Sequence, residues 1–183
     1  LTEDEFAIMR RHPEYGEAIA RNSGVADPKI LSVVRGHHER WDGCGYPDGT
    51  AAETASLEAR IAAVVDVFDA LTTKRIYKDA MGSRMAVSLI VGSAGTHFDG
   101  RVVRALLRQL GLYPPGTVVE LSDYSIGVVA GAMDQDLVRP KVIIELDGKG
   151  RRPSEDARFV DLGAGDGRYI IKAFDDLGKG GNY

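Results

Sequence analysis

Two adjacent histidines followed by a glycine-rich loop constrain this chain more than any other stretch of its 183 residues. Residues 36–49 read GHHERWDGCGYPDG. The preceding helical stretch carries a series of apolar residues at helical spacing, Ile30, Val33 and Val34. The same spacing continues onto His37 and His38, so both imidazoles are expected to face inward. The pattern predicts either two core histidines or, as we favour, two metal ligands beside a phosphate-binding loop.

An acidic residue in an otherwise apolar helix is the second informative feature. The helix is predicted over 57–72, with large apolar residues on one face and alanines over most of the rest, so it should be buried nearly all round. Asp66 lies among the alanines, and a buried carboxylate without a partner is costly. It is therefore expected to pair with Arg35 or Arg60, or to share a metal with the two histidines, which we favour.

The residues just past this helix are basic, and Arg75 and Lys78 are three positions apart. Cations at a helix C-terminus interact favourably with the helix dipole, which would be a purely structural role. Two such cations can also converge on one phosphate, the arginine as a bidentate fork and the lysine as a point charge. The residues alone leave both interpretations open. His97 lies outside any apolar series and is predicted to be structural.

The remaining sequence predicts a helical part, residues 1–112, followed by a small strand-rich part, residues 113–183. Helices are expected over about 2–12, 13–22, 28–39, 57–72, 83–93 and 99–111. Short β-type runs are expected at 117–121, 126–130, 141–146, 158–160 and 169–174. Five short strands with tight turns predict a small barrel or curled sheet. The glycine-rich stretch 160–168 is read as a hairpin turn rather than a nucleotide-binding loop.

The composition of the chain limits which partners it can bind and in which cellular compartment it is expected. The net charge of −4 gives no long-range attraction to a DNA or RNA polymer. The single cysteine, Cys44, has no internal disulfide partner, which is typical of a reducing compartment. No apolar run is long enough for a membrane span, and no signal peptide is recognisable. A cytoplasmic protein is therefore expected.

Taken together, these motifs resemble the HD-GYP family, bacterial metal-dependent phosphodiesterases that act on cyclic di-GMP and form a subset of the HD superfamily. The resemblance rests on the HHE-W-DG-GYP-DG string, on DVFDAL at 66–71 and on RIYK at 75–78. It covers residues 1 to about 112. The implied fold is an HD-like helical bundle, truncated at its N-terminus, with residues 113–183 as a barrel-like C-terminal extension.

The resemblance also implies roles for individual residues. The implied metal ligands are His12, His37, His38 and Asp66. The implied contacts to the substrate phosphate are Tyr46, Arg75 and Lys78, and the residues that shape the loop are Gly45 and Pro47. Two or three divalent ions, iron or manganese, would support hydrolysis of cyclic di-GMP to linear di-GMP and then GMP. A related cyclic dinucleotide is an alternative substrate.

One family motif is missing from the sequence. The family's His-Asp pair and its following lysine are expected upstream of Leu1, and no histidine here is followed by aspartate. The remaining catalytic residues would lie there, so residues 1–183 alone are expected to show little or no turnover and to expose apolar faces of the third and fourth helices. The alternative is a degenerate module that binds a nucleotide or a protein without catalysis. Expected protein partners are a diguanylate cyclase domain, an upstream sensor or receiver domain, or a second copy in a homodimer.

Overall fold

Six helices precede the first strand in the computed structural model, which describes residues 2–74, 80–133 and 136–174. They are α1 (Glu3–Met9), α2 (His12–Asn22), α3 (Pro28–Gly36), α4 (Leu57–Thr72), α5 (Ser83–Gly92) and α6 (Gly100–Leu110). A short 3₁₀ helix, Ala52–Thr54, lies between α3 and α4. All six helices were predicted, although α3 ends three residues earlier than expected, with His37 as its C-cap.

Side-chain caps fix where several of these helices begin. At the start of α1, Thr2 and Glu5 form a capping box, in which each side chain accepts a hydrogen bond from the other residue's backbone N–H. Asp27 accepts from the backbone N–H of Lys29 at the start of α3. Asp99 does the same for Arg101 at the start of α6. These caps satisfy backbone N–H groups that have no partner within the first turn of a helix.

The chain divides into two compact units. The first, which we call the histidine unit, comprises residues 1–70 and 90–103. Its buried apolar residues come from α3 to α6 and from the segment before α6: Leu31, Ala59, Ala63, Val64, Ile90, Phe98, Val102 and Val103. The second, the sheet unit, comprises residues 71–89 and 104–183. The predicted domain boundary near residue 112 stays a prediction.

Helix α4 is not buried all round, so that expectation is wrong. Its buried residues are Ala59, Ala63 and Val64, whereas Leu57, Ile61 and Val65 are 52%, 44% and 51% exposed. The small residues allow close packing on one side only, which leaves part of the large apolar face in contact with solvent. Ile30 on α3, predicted to point inward, is also 50% exposed. These values agree with the expectation of exposed apolar faces on the third and fourth helices.

The sheet unit contains five strands in the described residues: β1 (Val118–Leu121), β2 (Ile126–Met133), β3 (Asp136–Leu146), β4 (Phe159–Asp161) and β5 (Ile170–Phe174). A four-residue helix α7, Glu155–Arg158, precedes β4. Every pairing is antiparallel, and the strand order is β4-β3-β2-β1-β5. Alternate residues of the strands bury one face of the sheet, where the core consists of Val119, Leu121, Val129, Val142, Ile144, Val160 and Leu162.

The sheet is open, which corrects the prediction of a barrel-like extension. β4 pairs with β3, and β5 pairs with β1, so the two strands form opposite edges of the described sheet. A barrel would require these edges to pair with each other. For the same reason, the stretch 160–168 is not a hairpin turn, because it connects strands that are not neighbours. None of the helices in the described residues has both the length and the apolarity needed to cross a bilayer.

Candidate metal centre

Three histidines from two separate parts of the histidine unit converge on one point. His12 is the first residue of α2, His37 caps the C-terminus of α3, and His38 follows in the turn. One ring nitrogen of each histidine lies within 4.8 Å of the corresponding nitrogen of the other two. The ring centroids are 4.2 to 5.2 Å apart. The fold therefore brings together three of the four residues that were predicted as metal ligands.

Backbone carbonyl groups fix the orientation of two of these rings. Nδ1 of His12 lies 2.9 Å from the carbonyl oxygen of Met9. Nδ1 of His37 lies 3.1 Å and 3.0 Å from the carbonyl oxygens of Val33 and Val34. A carbonyl oxygen can only accept, so Nδ1 carries the proton in both rings. In the neutral rings Nε2 is consequently left with a lone pair, which is the form that binds a metal.

The two Nε2 atoms face each other at 3.1 Å. Two lone pairs at this distance repel unless a proton or a cation lies between or beside them. Imidazole nitrogens held about 2.0–2.1 Å from one metal ion lie about 2.9–3.4 Å apart, depending on the geometry. The spacing of His12 and His37 falls in this range, so the donor set fits a divalent ion.

His38 is held in its neutral state by its surroundings. Burial lowers the pKa of His38 to about 4, and the nearby charges of His37 and His12 act in the same direction. The negative charge of Asp66 opposes them. A histidine with a pKa near 4 is unprotonated at neutral pH, so its ring nitrogen is available to a metal without first losing a proton.

Asp66, the fourth predicted ligand, lies on α4 outside the group of three nitrogens. Its charge nevertheless raises the pKa of both His38 and Tyr46, so it is close enough to act electrostatically on the cluster. The arginines considered as alternative partners are engaged elsewhere: Arg35 with Glu17 and Asp48, and Arg60 with Asp99. Among the described side chains, neither arginine pairs with Asp66.

The glycine-rich loop returns to the histidines at Gly45 and Tyr46. The backbone N–H of Tyr46 donates to the carbonyl of His38 at 3.2 Å, and its ring centroid is 4.7 Å from that of His38. A side chain on Gly45 would put its Cβ 2.4 Å from the backbone nitrogen of Arg40 and 2.6 Å from the His38 carbonyl oxygen. Only glycine fits this approach, which gives the predicted loop-shaping role a steric reason. The Tyr46–Pro47 peptide is cis.

A buried glutamate and an ion-pair network hold the far end of the loop, and neither was singled out from the sequence. The carboxylate of Glu39 accepts from the backbone N–H of Asp48 at 2.7 Å and of Thr50 at 2.9 Å. Arg35 donates to both carboxylate oxygens of Asp48 at 2.6 Å and also contacts Glu17 on α2. The spacing of Glu39 from the loop amides, nine and eleven residues, gave no signal in a sequence read for helix periodicity.

A cavity of about 390 Å³ opens beside the cluster within the histidine unit. The residues lining it include basic, aromatic and apolar side chains: Phe6, Arg10, His37, His38, Glu39, Arg40, Cys44, Gly45, Tyr46, Ala63, Val67, His97 and Phe98. His97, predicted to be structural, lies on its wall, where Nε2 is 2.7 Å from a nitrogen of Arg40. Its carbonyl accepts from Trp41, which is a structural contact. Arg75 and Lys78 lie outside the described residues.

A profile of the HD domain matches residues 1–102, more than half of the chain. The chain belongs to the HD domain family. Its first 102 residues thus contain all of the three-histidine cluster, the loop and the cavity. The family resemblance inferred from the histidine and loop motifs is confirmed.

Named relatives of this HD domain chain are cyclic dinucleotide phosphodiesterases. The cyclic di-GMP phosphodiesterase PA4108 of Pseudomonas aeruginosa is 37% identical over 163 residues, which cover 89% of this chain and 39% of that protein. The cyclic di-GMP phosphodiesterase response regulator RpfG of Xanthomonas campestris is 46% identical over 109 residues, 59% of this chain and 29% of that protein. The 3'3'-cGAMP-specific phosphodiesterase 2 of Vibrio cholerae is 37% identical over 110 residues, 60% of this chain and 21% of that protein. The chain thus spans 39% or less of the length of each of these relatives.

Proposed function

We propose that this HD domain chain is part of a metal-dependent phosphodiesterase that hydrolyses cyclic di-GMP to linear di-GMP and GMP. The observation that carries the proposal is the convergence of His12, His37 and His38, two of them with Nδ1 bound to backbone carbonyls. Rings held in this way present Nε2 to a shared ion at little entropic cost. The named activities of the similar proteins support the choice of substrate.

The three histidines, with Asp66 from α4, would hold two or three divalent ions in this proposal. A set that mixes imidazole and carboxylate ligands suits iron or manganese. When bound, the ions would supply Lewis-acid stabilisation and activation of water for attack on phosphorus. His38 is already unprotonated at neutral pH, because its pKa is about 4. The remaining catalytic groups are proposed to come from outside residues 1–183, because the chain spans 39% or less of the length of these relatives.

Tyr46 would bind a phosphate oxygen of the substrate. Burial raises the pKa of Tyr46 above its ordinary value, so its hydroxyl stays protonated and can donate a hydrogen bond. Gly45 and Pro47 position the tyrosine, and Glu39 holds the loop beyond them. Arg75 and Lys78, three residues apart, would balance the charge on the phosphoryl oxygens.

A related cyclic dinucleotide, 3'3'-cGAMP, is the second candidate substrate, because one of the similar proteins is named for that activity. We further propose a cytoplasmic location, supported by the single cysteine without a disulfide partner. A sensor or receiver domain is a proposed partner, supported by the description of the Xanthomonas relative as a response regulator. A diguanylate cyclase domain and a second copy of the chain are the other partners proposed.

The test compares the full-length wild type with Asp66→Ala and with Glu58→Ala, a carboxylate two turns away on the same helix. Bound metal is measured by mass spectrometry, and products from cyclic di-GMP and 3'3'-cGAMP by chromatography. We expect Asp66→Ala to lose metal and turnover while Glu58→Ala keeps both. Full metal content and turnover in Asp66→Ala would refute the ligand assignment. A wild type that binds metal and nucleotide without cleaving either substrate would instead support a degenerate binding module.

A further inference from the structure

Arg10 lines the cavity beside the histidines and is not among the residues predicted for the site. It is the C-cap of α1, and its backbone N–H donates to the carbonyl of Phe6 at 3.0 Å. Its guanidinium carbon lies 4.8 Å from the ring centroid of Tyr46 and 5.8 Å from that of Phe6. The side chain is half-buried, so its position is determined by the helix end and by two aromatic rings.

The second arginine of the cavity has a different environment. Arg40 donates to both carboxylate oxygens of Asp42 and lies 2.7 Å from Nε2 of His97. Its charge is therefore balanced by Asp42, and each of its three guanidinium nitrogens has a partner. In the described part of the chain, no carboxylate lies within ion-pair distance of Arg10. The guanidinium lies over the ring of Tyr46 and near that of Phe6, and no hydrogen bond from its N–H groups to another described side chain is seen, so these groups can bind an anion.

We propose that Arg10 binds a phosphate group of the nucleotide substrate. This inference rests on the proposed function and adds a residue to the same site. A planar guanidinium can donate to two phosphate oxygens at once, and partial desolvation strengthens such a contact. Arg10 stacks on Tyr46, the residue proposed to contact phosphate from the loop, so the two side chains can reach one anion. Arg10 also precedes His12 by only two residues.

Arg11 provides a matched control on the next position of the chain. Its side chain is 59% exposed, its Nε lies 3.3 Å from a carboxylate oxygen of Glu14, and its guanidinium stacks on Tyr15 at 4.9 Å. It does not line the cavity. Replacing Arg11 removes the same charge from the same turn without touching the site.

The experiment uses the full-length protein, loaded with manganese, as wild type, Arg10→Ala, Arg10→Lys and Arg11→Ala. Calorimetry measures the binding of GMP and of guanosine, which share the base and differ in the phosphate. We expect Arg10→Ala to weaken GMP binding by about tenfold or more, the effect of losing a charged hydrogen bond, and to leave guanosine unchanged. Arg10→Lys keeps the charge and should recover part of the loss. In turnover of cyclic di-GMP, KM should rise more than kcat falls, because the contact is present before the reaction begins.

Three results would overturn the assignment. Equal weakening of GMP and guanosine in Arg10→Ala would indicate a contact to the base. Equal GMP binding in Arg10→Ala and Arg11→Ala would indicate no contact at all. Loss of bound manganese in both Arg10→Ala and Arg10→Lys would indicate that the residue supports the metal site rather than the nucleotide. Failure of the proposed function would give a different result. If the wild type cleaved no cyclic dinucleotide but bound GMP more tightly than Arg10→Ala does, the proposed function would fail and the role of Arg10 in phosphate binding would remain supported.

Discussion

The histidine cluster and the core of the sheet are both built from residues that converge from separate elements, but different forces hold them. The rings of His12 and His37 are oriented by hydrogen bonds to backbone carbonyl groups, and the three rings are only partly buried or exposed. In the sheet, Val119, Leu121 and Val142 have no exposed surface at all and are held by packing. Directional bonds fix an atom's position with little stabilisation, whereas packing stabilises without fixing a reactive atom. Substitutions in the two regions should therefore separate loss of function from loss of stability.

The largest expected effect is the loss of the metal in His37→Ala. Loss of an outer-shell partner already costs up to about 100-fold in metal affinity or activity, so removal of a ligand should exceed that. Mass spectrometry of the full-length protein measures the metal, and a product assay measures turnover. His97→Ala removes another histidine from the same cavity wall and should retain the metal. Wild-type metal content in His37→Ala would contradict the proposed ligand role.

Next in size is the destabilisation caused by Leu121→Ala in the sheet core. Truncation of a fully buried leucine costs about 2–5 kcal/mol of unfolding free energy, because apolar contacts are lost and a cavity remains. Hydrogen exchange of the sheet amides should accelerate, while the metal content stays that of the wild type. Ile171→Ala on the edge strand β5, where the side chain is 46% exposed, should cost about 1 kcal/mol or less. Loss of metal in Leu121→Ala would remove the separation between the two regions.

A smaller effect is expected where packing and directional bonding meet, at the buried Glu39. The substitution Glu39→Gln keeps the shape but leaves one oxygen to accept from two loop amides. One buried donor then loses its partner, at a cost of about 1–3 kcal/mol. Hydrogen exchange at the amides of Asp48 and Thr50 should be faster. Glu53 serves as a control, because its exposed side chain forms a surface ion pair with Arg101. Glu53→Gln should leave exchange at the amides of Asp48 and Thr50 unchanged. Equal protection in both variants would show that the loop is held by other contacts.

The smallest effect concerns how the free energy of unfolding depends on pH, measured on protein from which the metal has been removed with a chelator. The pKa of His38 is lowered to about 4 by burial, whereas an unfolded histidine titrates near 6.5. The unfolded state therefore takes up a proton first as pH falls. The contribution of neutral His38 to the free energy of unfolding is therefore complete above about pH 6.5 and is lost as pH falls towards 4. Because the ring is only partly buried, solvent screening reduces the effect to roughly 1 kcal/mol.

Denaturant unfolding at several pH values between 4 and 7 measures this contribution. His38→Gln should flatten the pH dependence in that window. No histidine lies in the sheet unit, so sheet amides should show little change in exchange over the same range. The same slope in wild type and His38→Gln would exclude His38 as the source.

The helices, the strands and the histidine pair could be predicted from the sequence because their signals are local. Capping residues, apolar periodicity and the proximity of His37 and His38 need no knowledge of distant segments. The partner of Asp66 could not be predicted in this way, since it depends on where Arg35 and Arg60 find their carboxylates in three dimensions. Whether the sheet is open or closed could not be predicted either, because it depends on which edge strand β5 pairs with.

Within the site, the residues missed from the sequence are those that act through tertiary contacts. Arg10 lies at a helix end two residues from His12, and periodicity gives no indication that it faces a cavity. Glu39 was read as the end of a helix, yet its carboxylate binds two amides of the following loop. For Arg75 and Lys78, the phosphate-binding role stays a prediction.

The carbonyl bonds of His12 and His37 also affect the proton balance of the protein. Each neutral ring has one N–H, and in both rings that N–H donates to a carbonyl, so neither ring has a proton of its own to place between the two Nε2 atoms 3.1 Å apart and an additional proton or a metal ion is needed there. That proton and a metal ion compete for the same position. Metal uptake would therefore expel that proton, and the heat of loading would then vary with the ionisation enthalpy of the buffer. The geometry thus makes the proton and the metal ion mutually exclusive without any movement of the chain.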